Sequence, residues 1–323
     1  MIKEIRVGNI RLFEGTGWSF PLSPLTVFCG TNNSGKSTLL KVLLLLRQSM
    51  GIEESYSYEE GKLRFFGSQV DMGSYRSLVS HNEHELDMSI GLTTEGHMPR
   101  AVASSLRSLR APGKRASGAA SEDSVLYSLE SDFRFGLITE LERASDIAKV
   151  SEEDLEAPII PSPEGVLKSA ASQLRIDDET LLRWRIEYSG LDEDGDPRFD
   201  LVIPEAYFDG LEQFSELRAK REPRGHARVR VFLRDLRPMA VLARSASEDE
   251  TVGGRDQEEE IPLVPVPRII YNLANVHLQQ TLHNIHYIGP LRSPAERYYM
   301  TRPDVEQPLD PAGKFLPLSL IHI

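Results

Sequence analysis

The sequence predicts an α/β fold, and three observations carry that prediction. Leu25-Thr26-Val27-Phe28-Cys29 is a compact apolar run ending at Gly30, the pattern of a strand buried on both faces. A glycine-bearing turn over residues 30–35 follows it. Then Leu39, Leu40, Val42, Leu43, Leu44 and Leu46 give a helix that is apolar nearly all round, which suits the inside of a layered core.

Ahead of that unit, Ile2, Ile5 and Val7, then Ile10, Leu12 and Phe13, read as short strands, with Gly15-Thr16-Gly17 as a turn. Beyond it the period returns to two in Lys62 to Phe66 and in Leu86 to Leu92, around a turn-rich segment from Gly67 to Tyr75. Residues 99–123, with Pro99, Pro112, Gly113, Gly118 and several Ser and Ala, read as a flexible loop. The stretch 124–240 mixes short strands with helical pieces and reads as an inserted or accessory α+β region. Glu248 to Glu260 holds seven acids and one base, the composition of a solvated loop. Ile269 to Leu282 reads as a helix, and Ile285-His286-Tyr287-Ile288 as another buried strand before Gly289-Pro290. The expected division is 1–98, 99–265 with flexible loops near 99–123 and 246–261, and 266–323.

Composition narrows the class. The chain has 323 residues, 40% hydrophobic and 27% charged, enough apolar material for a core. A net charge of −12 argues against a coat of nucleic acid over the whole surface, while leaving room for a local basic patch. The basic stretch Arg218 to Arg237 reads equally as such a patch, which keeps DNA as a candidate partner, and as a solvated strand face balanced by the acidic run at 248–260. One cysteine, Cys29, excludes an intrachain disulfide framework and a Cys-rich zinc site. The opening Met-Ile-Lys-Glu-Ile-Arg is no signal peptide, and the greasiest stretch, Leu39 to Leu46, contains Lys41 and falls short of the about 20 residues a membrane span needs. The expected compartment is the cytoplasm.

One motif carries chemistry. Gly30-Thr31-Asn32-Asn33-Ser34-Gly35-Lys36-Ser37 is a glycine, four residues, then Gly-Lys-Ser, the pattern of a phosphate-binding loop. Glycines let the backbone curl so that successive N–H groups face an anion, and the helix that follows adds its free N-terminal donors and dipole. Lys36 supplies a mobile charge for the β- and γ-phosphates, and the Ser37 hydroxyl suits magnesium. Chance yields roughly 0.01 such matches in a chain this long at average composition. The expected ligand is a nucleoside triphosphate with Mg2+.

Asn9-Ile10-Arg11-Leu12-Phe13, with Leu22 to Leu40 around the loop, resembles the N-terminus of ABC-type AAA ATPases of the SMC, RecF and OLD kind. Val70 to Val79 and Tyr287 to Tyr299 are similar to prokaryotic, defence-associated ATPases of that group. The resemblance implies an ABC-type P-loop ATPase head with a β-rich N-terminal lobe. It implies ATP contacts from Gly30, Asn32, Asn33, Ser34, Gly35, Lys36, Ser37 and Thr38, with Lys36 catalytic. It further implies Arg11 near base or phosphates, and Gln69 beside Ser37 at magnesium. Two heads would sandwich ATP as a homodimer and drive an effector such as a nuclease. Arg292 and Arg297, after the Gly-Pro turn, are expected to be structural.

The resemblance also calls for a strand of apolar residues ending in Asp-Glu, and for a serine-rich signature. Val229 to Asp235 is interrupted by arginines, and Leu201 to Glu205 by Pro204, so neither qualifies. The ending, Pro317 to Ile323, resembles translated adapter read-through, and the expectation is a truncated gene. Asp192-Glu193-Asp194-Gly195-Asp196 has its glycine too early for a calcium loop and reads as a tight acidic turn. The pairs His81/His84 and His283/His286 lack the neighbours a zinc site needs.

Overall fold

The computed structural model of the chain describes residues 1–51, 61–83, 85–110, 124–138, 165–192, 195–205, 207, 220–222, 225–242 and 263–288. Alternating apolar residues build one antiparallel sheet of eleven strands among them. In chain order these are β1 (Ile2–Gly8), β2 (Trp18–Pro21), β3 (Met88–Pro99), β4 (Ser124–Gly136), β5 (Val166–Ile176), β6 (Glu179–Leu191), β7 (Pro197–Pro204), β8 (Lys220–Glu222), β9 (His226–Arg234), β10 (Arg237–Leu242) and β11 (Leu263–Pro265). Across the sheet they lie β2-β1-β3-β4-β5-β6-β7-β9-β10-β11, and β8 also pairs with β9.

Period-two patterning gives the sheet its two faces. One cross-strand row runs Val7, Ile90, Phe133, Ala170, Ile186, Leu201, Val229. Every member is buried. The next row runs Arg6, Gly91, Asp132, Ala171, Arg185, Val202, Arg228, and its charged members lie outside the core. Burying such a row removes apolar surface from water at about 25 cal/mol per Å².

The apolar face carries the helices. α1 (Lys36–Ser49) begins where the sequence places it, and Leu39, Val42, Leu43, Leu44, Leu45 and Leu46 are all buried. α2 (Tyr75–Leu78) is one capped turn, with Ser74 and Ser77 exchanging side-chain and backbone hydrogen bonds. Helix α3 spans Arg100–Arg110. α4 (Arg268–Tyr271), a π-helical turn (Asn272–His277) and α5 (Leu278–His283) follow one another without a break. The expected helix at 269–282 is therefore present, with a π turn inside it. The fold is mixed α/β around a large antiparallel sheet, compatible with an ATPase domain.

Four expectations are corrected. Residues 25–29 are not a buried strand: Leu25 is 83% and Val27 73% exposed, and Cys29 is exposed as well. Among the described residues no strand lies beside them to take up their backbone groups. Residues 285–288 are likewise unpaired coil, with Ile288 45% exposed. Lys62 to Phe66 keeps the alternating burial of a strand but makes a single bridge, Lys62 to Val166. Residues 100–110 are a helix where a flexible loop was expected. Ala103 and Leu106 are buried, three residues apart on one face, and Arg107 Nη2 donates to Asp177 at 2.8 Å. The expectations for 111–123, His84, the acidic run at 248–260, Arg292, Arg297 and the chain's end lie outside the described residues.

Candidate functional site

The phosphate loop is shaped by three residues with positive φ: Gly30 at 158°, Asn33 at 66° and Gly35 at 86°. A Cβ on Gly30 would stand 2.8 Å from Ser34 Oγ, and one on Gly35 would stand 2.6 Å from the Phe13 ring. Left-handed φ at Gly35 and its lack of room both demand glycine. Gly35 is also the N-cap of α1 and provides no side-chain cap, and no acid occupies the first turn. The first intrahelical bond runs from Leu39 N to Gly35 O at 2.9 Å, so the amides of Lys36, Ser37 and Thr38 have no helical acceptor. That is the donor array an oxyanion needs.

Lys36 Nζ bends back over the loop. It donates to Gly30 O at 2.9 Å, Thr31 O at 2.6 Å and Ser34 Oγ at 3.2 Å. The ammonium is thereby held against the loop's own carbonyls.

Arg11 reaches the same place through a turn whose rules are local. Asn9 and Arg11 have φ of 53° and 49°. Asn9 Nδ2 donates to Asp87 O at 2.9 Å, and its Oδ1 accepts from Gly15 N at 2.7 Å. Asn tolerates left-handed backbone better than most residues, and its amide locks the turn. Between the two Ile10 is buried, and Arg11 N donates to Leu78 O at 2.7 Å. Phe13, next along, packs with Trp18 and Phe20 and braces Gly35 from behind.

Together these residues line a cavity of about 670 Å³, formed by Arg11, Leu12 and residues 32–38. Among the described residues its charged members are the cations Arg11 and Lys36, with no carboxylate. Glycine-only backbone, free amides and two cations fit a polyphosphate. The Ser37 hydroxyl is exposed in the first turn of α1 and lines the same cavity, and a hydroxyl oxygen is a donor type that Mg2+ accepts. Gly30 shapes the loop from just outside the lining. Gln69 is not part of that lining; its amide lies 3.4 Å from Ser68 Oγ.

The nearest sequence candidate for a metal carboxylate, Asp235, is used elsewhere. It is buried in the β9–β10 turn, pairs with Arg64, and lies 3.6 Å from Arg237. Burial raises its pKa against the pull of those arginines. Leu12 was missed from the sequence, although an apolar residue 57% exposed beside Arg11 lines the cavity. An exposed leucine between a left-handed arginine and a buried phenylalanine was its only signal.

A family profile described as an AAA ATPase domain matches residues 1–89. The match supports an AAA-type ATPase family. It spans the Asn9–Arg11 turn, the loop and all of α1, and suggests ATP binding or hydrolysis. No curated protein and no solved structure matches the chain. Among the described residues no helix is long and apolar enough to cross a membrane.

Proposed function

We propose that the chain binds ATP with Mg2+ in the cavity at the N-terminus of α1. The carrying observation is the convergence there of the uncapped helix amides, Lys36 and Arg11 on glycine-shaped backbone. Loop amides and Lys36 would hold the β- and γ-phosphates, Ser37 the metal, and Arg11 the ribose, base or α-phosphate. Bound magnesium would screen the phosphate charge. The reaction we assign to that site is hydrolysis, and two heads closing on ATP would form a homodimer that controls an effector, a nuclease among the candidates. A cytoplasmic role in prokaryotic defence or DNA maintenance follows from the same resemblance.

A second reading, a nucleotide-gated scaffold with little or no turnover, is favoured by one observation. Among the described residues no carboxylate lines the cavity, and phosphoryl transfer relies on such groups to position metal and water. Calorimetry with MgATP on residues 1–323 tests the shared core of both readings. Heat consistent with one site, weakened at least tenfold by Lys36→Ala, is expected. The absence of heat from a folded sample overturns both, and free phosphate release separates turnover from gating.

A further inference from the structure

The turn that brings Arg11 to the phosphate cavity carries a second side chain there, and phosphate binding gives it nothing to do. Leu12 is exposed and lines the cavity beside Arg11 and residues 32–38. The other side chains of that lining are amides, hydroxyls, an ammonium and a guanidinium, so Leu12 is its one apolar side chain among the described residues. An exposed leucine standing alone on a surface needs no explanation. One set into the wall of a polar cavity does. Phosphate and magnesium gain nothing from a hydrocarbon, whereas the flat face of a nucleobase leaves water readily for one.

The local backbone holds Leu12 in that place. Ile10 N donates to Phe13 O at 3.2 Å and Phe13 N to Ile10 O at 2.9 Å, closing a turn whose two tip residues are Arg11 and Leu12. Both closing residues are buried, and Ile10 also bridges Val79. The first tip residue, Arg11, has φ 49°, a position that glycine commonly fills in turns of this length. An arginine there accepts strain that a glycine would avoid, which marks the tip as a place where side chains are used. Phe13 lies against Gly35, the N-cap of α1, so the tip is fixed relative to the free helix amides.

We propose that Leu12 is the nucleobase-contacting residue of this site, covering one face of the base while the loop amides and Lys36 hold the phosphates. This inference rests on nucleotide binding in that cavity. The leucine contact has no donor or acceptor, so its strength follows the apolar area it covers. A purine offers a larger face than a pyrimidine, and bare tripolyphosphate offers none. The ligand class is therefore a purine nucleoside triphosphate, with adenine and guanine treated alike by Leu12 itself.

The test is calorimetry on residues 1–323 with the magnesium complexes of ATP, GTP, CTP and tripolyphosphate. Wild type should bind ATP and GTP about tenfold tighter than tripolyphosphate, with CTP between. Leu12→Ser should weaken ATP and GTP by a similar factor, about fivefold, and leave tripolyphosphate within about twofold. Leu12→Phe, which enlarges the apolar face, should hold or tighten both nucleotides with tripolyphosphate level; unchanged melting temperatures show that both variants fold. Tripolyphosphate on wild type reads the phosphate loop alone. If it binds, and Leu12→Ser leaves ATP untouched or weakens all four ligands equally, the role of Leu12 is overturned while the phosphate site stands. Equal wild-type affinity for all four ligands overturns it in the same way. If neither tripolyphosphate nor any nucleotide binds folded wild type, the phosphate site falls and the role of Leu12 falls with it.

Discussion

At φ 86°, and with Phe13 2.6 Å from where a Cβ would stand, Gly35 admits no side chain without movement. Gly35→Ala is expected to cost about 1–2 kcal/mol in left-handed strain alone. It also pushes the loop off the Phe13 ring, so nucleotide affinity should fall with stability. Urea unfolding and calorimetry on the same variant check this, and a substitution silent in both contradicts the geometry. The glycines of the loop were legible as letters because their spacing is a motif. The Phe13 contact was not, since nothing in the sequence says which aromatic will back a turn twenty-two residues away. The same holds for Arg11. Its neighbour Asn9 signals a turn, but only the bond from Arg11 N to Leu78 O aims the residue at the cavity.

Helix α1 is anchored at the end away from the loop. Gln48 Nε2 donates to Arg64 O and to Val70 O at 3.1 Å, and its Oε1 accepts from Val70 N at 3.2 Å. Ser49 Oγ accepts from Arg64 N at 2.9 Å, and Arg47 Nη1 donates to Ile285 O at 2.5 Å. Gly51, at φ 63°, leaves space for Asp235, which a Cβ would meet at 1.9 Å. Asp235 thus ties the Arg64 segment to the β9–β10 turn while lying close against Gly51 at the helix end. Asp235→Asn removes the buried charge that faces Arg64 and Arg237, and breaking a pair of this kind costs about 3 kcal/mol. Because Asp235 is outside the phosphate cavity, MgATP affinity at a temperature where the variant is folded should stay within about twofold of wild type. Loss of affinity with stability unchanged would contradict this division of labour. At this scale the sequence was a fair guide to α1 and to the long helix at 268–283, whose patterns are periodic over many residues. It misjudged the short runs 25–29 and 285–288, because an apolar run forms a strand only beside another strand. It misjudged α3 for the opposite reason: serine and proline at 99–108 mask the spacing of Ala103 and Leu106.

The sheet draws distant segments of the described chain together, and one half-buried histidine links the helical run at 268–283 to β3 and β4. His277, in the π turn, has Nε2 2.9 Å from Thr94 Oγ1 of β3, and its ring meets Tyr127 of β4 at 5.2 Å. Burial, with the Met1 ammonium adding to it, pushes the imidazole from 6.5 down to about 4, and burial pushes the Tyr127 phenol up to about 12. Unfolded His277 takes up a proton near pH 6.5, whereas folded His277 waits until about pH 4. The stability it contributes is whole above pH 6.5 and is lost as pH falls through that window. In urea melts at pH 7.5, 6, 5 and 4, wild type should lose stability more steeply than His277→Gln. Parallel profiles would show that this histidine is not the group responsible.

What the sequence by itself determined is the local backbone of residues 30–38, a glycine-spaced turn running into a helix. A phosphate loop is a local object: its φ angles, free amides and charge arise within a few residues of each other. Only the tertiary structure decided that β3 lies between β1 and β4, that Arg11 and Leu12 complete the loop's cavity, and that Asp235 faces Arg64 and Arg237 away from that cavity. Those outcomes depend on pairings between residues tens to hundreds of positions apart, and such pairings follow from which apolar faces can be buried together, a property no single segment contains.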